Sequence, residues 1–480
     1  TFFNGDLKVN WKVAQSNSKL RDKDFRKAIF ELERVAALDT TFYLISPSVT
    51  EAPTRLWRDL DEKSLVAKLD VETKFNVNKI TGKLNAGFSS IDKERDFSSK
   101  RVDVNYEGDS RVLLGDPNAL LADENIWVQS EQLFQRTQGS YITAGSEPGN
   151  TFNAETSNTA FYLSSELKFS DYIKAVLGVR YEEFTLNYTS EGIDNEQFID
   201  EKEIFTNLNL IYSPNDKSNV RASYYRTTAR PSFKEASTAV IADPINETFF
   251  IGNRDIKSAI IDNYDLRYEY FGEKNEMFSL SLFAKQFQDP IEIVNFREDT
   301  PNEFIARNNI DATILGAEME VRKNLLTVND NFKLNINANA SYIDASANAF
   351  INRDEPELGT EERELQGQSP YTINTGLSFS FDDIALEGGL FYNVQGPALE
   401  FVGVNDIPDI YSEPFNNLDF SLAKSFNTEN TKVKKRVTLK VKNLLNEKRE
   451  SYYVFNDEKA GLFRSIAPGL LISLGVSLNF

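Results

Sequence analysis

The chain closes on "GLLISLGVSLNF", residues 469–480, a stretch with two faces of opposite polarity. Leu470, Ile472, Leu474, Val476, Leu478 and Phe480 are large and apolar, while Ser473, Gly475, Ser477 and Asn479 are small or polar. Only Leu471 breaks the alternation. A side-chain period of two belongs to a β-strand, whose successive residues point to opposite faces. A strand this one-sided, with an aromatic as its last residue, needs an apolar medium along one whole face.

The same alternation recurs upstream. In "SLVAKLDVETKFNV" (64–77), Leu65, Ala67, Leu69, Val71, Phe75 and Val77 oppose Lys68, Asp70, Glu72, Lys74 and Asn76. In "NYDLRYEYF" (263–271), Tyr264, Leu266, Tyr268 and Tyr270 oppose Asn263, Asp265, Arg267 and Glu269. "NFKLNINANA" (331–340) and "RVTLKVKN" (436–443) repeat the pattern.

Composition removes several functions. The 480 residues include no cysteine, hence no disulfide framework or thiolate metal site. They include no histidine, which removes a histidine-based triad and the commonest metal ligand. A net charge of −20 argues against a nucleic-acid partner. No apolar run approaches the ~18 residues of a membrane helix, and mean hydropathy is −0.42. A transmembrane β-barrel escapes such windows because half of each strand faces a polar lumen. Carboxylates are plentiful, but nothing marks the apolar pocket that would turn one into a glycosidase acid, so an enzyme is not expected.

A soluble sandwich also alternates, and the connections separate the two readings. The pattern predicts about sixteen strands, starting near residues 4, 63, 80, 157, 173, 202, 218, 260, 276, 313, 331, 370, 384, 415, 434 and 469. Short links (78–79, 170–172, 213–217, 272–275, 381–383) alternate with long ones (19–62, 93–156, 190–201, 229–259, 289–312, 346–369, 396–414, 445–468). Short turns on one rim and long loops on the other are the outer-membrane arrangement, with the long loops outside. In that setting the even positions 470–480 face lipid, and the last aromatic sits at the membrane interface.

Several segments then resemble, in order, the signature of TonB-dependent outer-membrane receptors of the Bacteroidota type. They are "AVLGVRYEEF" (175–184), "LNLIYSPNDKSNVRASYYRTTARPSFKE" (208–235), "IGNRDIKSAIIDNYDLRYEYF" (251–271), "FSLSLFAKQFQDPIE" (278–292), "LGAEMEVRK" (315–323), "LQGQSPYTINTGLSF" (365–379) and "KVKNLLNEKRE" (440–450). The terminal strand is similar to the closing strand by which such proteins are recognised for assembly. The resemblance implies a barrel of about 22 strands behind an N-terminal plug domain. Sixteen strands and no plug are read here, so residues 1–480 are expected to be a barrel incomplete on its N-terminal side. It also implies energised uptake of a scarce solute (a siderophore, an oligosaccharide or a peptide), with TonB contacted through the absent N-terminal region. A passive sixteen-stranded porin, or a barrel serving a secretion or structural complex, are the alternatives.

The remaining expectations concern single residues. Arg180, Arg221, Arg267, Glu269, Glu318 and Glu320 are expected to line a wet lumen and to pair with one another or with plug residues. Arg230-Pro231 ends a strand, since proline cannot donate to a ladder. Phe233, Phe249, Phe250, Phe401 and Tyr411, on the long loops 229–259 and 396–414, are the candidate solute-binding aromatics. The acidic run "RDEPELGTEERE" (353–364) is read as a solvated outer loop without calcium-loop spacing. No cofactor, metal or catalytic residue is assigned. The expected surroundings are outer-membrane lipid and lipopolysaccharide, with a surface lipoprotein or another membrane-complex subunit as a further partner.

Overall fold

The computed structural model describes residues 7–35, 40–45, 52–127, 138–144, 150–243, 245, 248–273, 276–296, 303–329, 331–350, 359–404, 407–426 and 434–479. Sixteen long antiparallel strands follow one another along the chain and dominate one sheet: Leu7–Lys27, Thr54–Val77, Ile80–Glu107, Thr151–Lys168, Ile173–Ser190, Ile193–Asn215, Ser218–Ala229, Ala259–Phe271, Met277–Gln288, Asp311–Val328, Phe332–Phe350, Tyr371–Phe381, Leu386–Gln395, Phe415–Phe426, Lys434–Lys442 and Leu471–Asn479. Two short pieces, Gly139–Ala144 and Thr360–Glu364, extend the ladders of Ile80–Glu107 and Phe332–Phe350.

The register carries one apolar belt from strand to strand. Trp11 lies opposite Leu69, which faces Phe88, then Phe161, Tyr181 and Ile204. At the other end Leu377, Leu390, Phe420, Val441 and Ile472 form the same kind of row. Belt residues are open to the surroundings, Trp11 at 76% and Leu474 at 73%. Aliphatic side chains in such a continuous exposed band are stable only against lipid. Leu470, Ile472, Leu474, Val476 and Leu478 are all exposed. Ser473 and Ser477 are exposed too, so exposure does not distinguish the faces of the last strand. The ladder does: Leu439 and Val437 face Leu474 and Val476, and Lys440 and Arg436 face Ser473 and Ser477. Phe480 lies outside the described residues.

Strand lengths divide the wall. The first six strands run to 18–28 residues, whereas several of the later ones have 9–13. The long strands rise beyond the belt as a tall wall, so several expected loops are strand instead. Residues 54–62 and 93–107, expected in connections, continue strands, and 190–201 is a hairpin with its tip at Glu191-Gly192, where Gly192 has φ +79°. The apolar face changes side there. In Ile173–Ser190 the odd residues Ile173, Leu177 and Val179 belong to the belt, while Phe184, Leu186 and Tyr188, all even, are buried on the opposite face. Above the membrane the outer face meets water, so the apolar side chains turn inward.

Four long connections on the shorter side make a second sheet of eight strands. Hairpins Val240–Asp243/Thr248–Ile251, Ile291–Phe296/Glu303–Asn308, Ala398–Gly403/Asp409–Ser412 and Arg449–Phe455/Glu458–Ile466 join edge to edge. Two of the seams are short and parallel, Phe249–Ile251 on Glu303–Ile305 and Val294–Asn295 on Val402–Gly403. Among the described residues no ladder joins Leu471–Asn479 to Leu7–Lys27, so each of these strands is paired along one edge only.

Candidate functional site

One face of the loop sheet is a row of apolar side chains interrupted by a single asparagine. Across the strands it reads Ile241, Phe250, Phe304, Asn295, Phe401, Ile410 and Tyr453, with Phe463 beside them. Phe304 and Phe401 have ring centroids 4.6 Å apart, and Phe463 lies 5.9 Å from Phe401 and 5.5 Å from Tyr453. This face packs on Phe97, Phe152, Phe184, Leu186, Tyr188 and Ile199, the inward side chains of the tall wall. Loops rooted on the short strands thus reach across to the tall ones, and the contact lies on the face opposite the belt. That face is therefore the interior, and the loop sheet covers its outer mouth.

The connection 230–258 wedges between the two. Its Arg230 Nη2 donates to Glu182 Oε2 at 2.6 Å, and the Arg230 guanidinium lies 4.5 Å over the Phe184 ring. The following turn is a capping box: Ser232 N donates to Glu235 Oε2 at 2.6 Å, and Glu235 N donates to Ser232 Oγ at 3.3 Å. Phe233 is buried beneath the Arg95 guanidinium, 4.8 Å from its ring centroid. Gly252 donates its N–H to Ala239 O, and a Cβ there would clash with the Ser237 carbonyl oxygen, so only glycine fits. Asn253 Nδ2 donates to Ala306 O at 2.9 Å, and Asn253 N to Glu235 O at 2.7 Å. Residues 230–233 and Gly252-Asn253, within the stretches 208–235 and 251–271 that resemble the receptor signature, are the pins of this wedge.

Other buried polar groups fasten the loop sheet. Glu292, 1% exposed, accepts from Arg363 Nη1 and Nη2 at 3.1 and 2.5 Å, from Gln366 N at 3.0 Å and from Asn309 Nδ2. Glu400 holds Ser451 and Arg464 of the last hairpin. Nothing in the alternation marked Glu292 or Arg363, since pairing across 71 residues leaves no local signal. Asn295 is fully buried, and among the described residues neither of its amide atoms has a partner. A buried unsatisfied amide costs about 1–3 kcal/mol, and this one sits in the two-residue parallel seam, weakening it.

The candidate aromatics take part unequally. Phe233 and Phe250 are in the core, Phe401 packs against it, and Tyr411 packs with Val294, Leu399 and Val402 on the opposite face of the loop sheet. Phe249 lies under the Arg101 guanidinium, 5.3 Å from its ring centroid. Of the acidic run 353–364, residues 353–358 lie outside the described residues, and Arg363 is structural. Among the described residues no group of three acidic side chains is placed to hold a metal ion. One cleft, of about 990 Å³, is not in the mouth. Its Arg21, Lys23, Asp59, Asp61 and Asp96 lie on the belt side of the tall wall, above the belt, where Arg21 and Asp59 pair at 3.2 Å.

Below the mouth the inward face is polar. Arg221 Nε and Arg267 Nε donate to the two oxygens of Glu269, each at 2.9 Å. Arg267 lies 3.6 Å from Glu320, which Arg322 also holds at 2.6 Å. Arg180 pairs with Glu182 at 2.5 Å and donates to Ser89 at 3.1 Å. Glu318 shares this face and is exposed.

Half-burial in the loop sheet pushes the Asp409 carboxyl above its ordinary value, against the Gly403 N–H at 2.7 Å and the nearby Arg363 charge. A raised carboxylate binds its proton more tightly in the folded state. Its contribution to stability is therefore full below the ordinary carboxylate value and is lost as pH rises through the raised one. Hydrogen exchange of residues 409–412 should be slowest in acid, after correction for intrinsic rates. Asp409→Asn should flatten that pH dependence, and an unchanged profile would show that the group does not control it.

This geometry, a belted sheet with a polar inner face and long loops on one rim, defines an outer-membrane β-barrel. The TonB dependent receptor-like, β-barrel family model matches residues 36–444, and the chain belongs to that family of transport receptors of the Gram-negative outer membrane. No curated protein matches it in sequence. Among solved structures it is similar to the ferric-catecholate import receptor Fiu of E. coli K12 in its closed form (TM-score 0.60, 12% identity, 99% of this chain and 62% of Fiu). It is also similar to the unliganded ferric citrate transporter FecA (0.63, 12%, 99% and 59%) and to the copper transporter OprC (0.62, 16%, 98% and 62%). At these identities the likeness is one of fold, and the chain spans about three-fifths of each of these structures.

Proposed function

We propose that the chain is the barrel of a TonB-dependent transporter that captures a scarce solute at its outer mouth and passes it through the lumen. The supporting observation is the mouth itself: an apolar loop sheet packed across a polar interior. A passive channel needs an open entrance, whereas a gated receptor needs a covered one. Phe249, Phe401 and Tyr411, only partly buried, supply the rigid apolar surface that small-solute sites use, and Phe233 and Phe250, buried beneath, hold it in place. A ferric siderophore, an oligosaccharide or a peptide is the cargo class, and no catalytic role is assigned. The single-sided pairing of Leu7–Lys27 and Leu471–Asn479 supports further strands that bridge them, because unpaired backbone groups in lipid have no water to bond. A plug domain in the lumen would find partners in the paired charges of Arg180, Arg221, Arg267, Glu269 and Glu320 and in Glu318, and TonB would act through it. Lipopolysaccharide would surround the outer part of the belt, and a surface lipoprotein would dock on the loops.

Uptake should stop when a protonophore collapses the proton gradient. Trimming 398–411 should abolish uptake, while shortening 353–358, which spares Arg363, should leave it intact. Uptake indifferent to the protonophore would return the chain to the passive-channel reading. Loss of uptake on shortening 353–358 alone would move recognition to the acidic charge and favour a cationic or metal-bridged solute.

A further inference from the structure

The inner wall divides into two sectors of different chemistry. From Leu7–Lys27 round to Asp311–Val328, the inner face at belt height carries paired charges, with neutral positions such as Asn85, Ser164 and Asn207 between them: Lys68 with Asp70 at 3.3 Å, Lys83 and Lys174 with Glu166 at 3.8 and 3.2 Å, then the Arg221–Glu269–Arg267–Glu320–Arg322 chain. The next four strands present amides. Asn339 lies opposite Asn374, Asn374 opposite Asn393, and Asn393 opposite Asn417. Asn374 Nδ2 donates to Asn339 Oδ1 at 2.8 Å, and Asn393 Nδ2 donates to Asn374 Oδ1 at 2.5 Å. Gly376, Ser378, Gly389 and Ser421 flank this ladder on the same face, and the Phe391 ring lies among them over Gly376 and Gly389. The two inward carboxylates of these strands are engaged elsewhere: Glu387 with Arg436, and Asp419 as acceptor of the Asn443 N–H at 3.0 Å.

The sectors suit different tasks. Paired charges hold a polar partner in one geometry. A row of neutral amides offers donors and acceptors of modest strength, which a moving solute exchanges one for the next. Conduction requires this kind of weak, repeated binding. A charged solute gains too little from such a row to offset its lost hydration, whereas hydroxyl and amide groups replace their water bonds directly. We propose that the Asn339–Asn374–Asn393–Asn417 ladder is the track along which the solute crosses the lumen, and that the solute it fits is uncharged and rich in hydroxyl or amide groups. The inference rests on the transport reading and chooses among its cargo classes, favouring a glycan or neutral peptide over an anionic metal chelate.

These 480 residues hold no cysteine, so once any cysteine outside them is replaced, a single introduced one reports on one position. In cells carrying the full-length receptor, Asn374→Cys is compared with Ser164→Cys. Ser164 faces the charged sector opposite Asn85 and Gly178 and is half-buried like Asn374. Both variants are normalised to folded receptor by heat-modifiable migration. They are then exposed to three membrane-impermeant methanethiosulfonates: anionic sulfonatoethyl, cationic trimethylammonioethyl and uncharged glucosyl. In energised cells N374C should react roughly tenfold faster than S164C, as expected of a conducting wall against a packed one. Relative to its rate with a free thiol, the glucosyl reagent should lead. Equal rates at the two positions, a faster S164C, or no reaction at either would overturn the track. A charged reagent in the lead would overturn the solute class. Reaction of N374C that ignores a protonophore would contradict energised transport and leave the side preference standing.

Discussion

Arginine in place of Leu474 should lower the stability of the membrane-inserted protein by about 2–4 kcal/mol, while arginine in place of Ser473 should cost far less. The two residues are neighbours in one strand, equally remote from the mouth, and both are open in the structure. They differ in direction alone. Leu474 stands opposite Leu439 in the belt, and Ser473 opposite Lys440 on the polar face. A guanidinium at 474 would enter hydrocarbon and one at 473 would enter water. Urea titration of the refolded protein in lipid vesicles measures both costs, and equal values at the two positions would contradict the assignment of the belt to lipid.

Removing Arg363 should destabilise the loop sheet by about 3–5 kcal/mol, because it leaves the Glu292 carboxylate buried without its counter-charge. Gln366 N and Asn309 would still donate to it, but neither carries charge. The double change Glu292→Met with Arg363→Met should recover most of the loss, since well-packed apolar groups replace buried ion pairs at little cost. Hydrogen exchange of residues 291–296 and 398–403 reports the local stability. A single Arg363→Met variant with unchanged protection would mean that the pair is dispensable to the mouth. A double variant no better than the single would mean that the pair is worth more than its desolvation.

The two changes probe different kinds of information. The belt is written locally: every second residue of 471–478 or of 65–71 records the medium on that side, so strands at membrane height were legible, as were the short turns between them. The sixteen expected strands correspond to the sixteen long ones, and the family resemblance, carried by motifs in order, agrees with the family to which the chain belongs. The reading failed where the medium changes. Above the membrane the outer face of the tall strands is wetted, and their apolar residues turn inward, as Phe184, Leu186 and Tyr188 show. The alternation continues there with its phase reversed, so a pattern keyed to one greasy outer face ends too early and reports loops at 54–62, 93–107 and 190–201.

Sequence by itself determined the period, the belt, the order of long and short connections and the polar character of the interior, because each depends on a residue and its nearest neighbours along the chain. Tertiary structure alone decided that four loops become one eight-stranded sheet, that Phe233 and Phe250 meet Phe97 and Phe152, that Glu292 finds Arg363, and that four asparagines align across neighbouring strands. Those contacts join residues far apart in the chain. Their free energy depends on which surfaces are brought together to exclude water, and no local pattern encodes that choice.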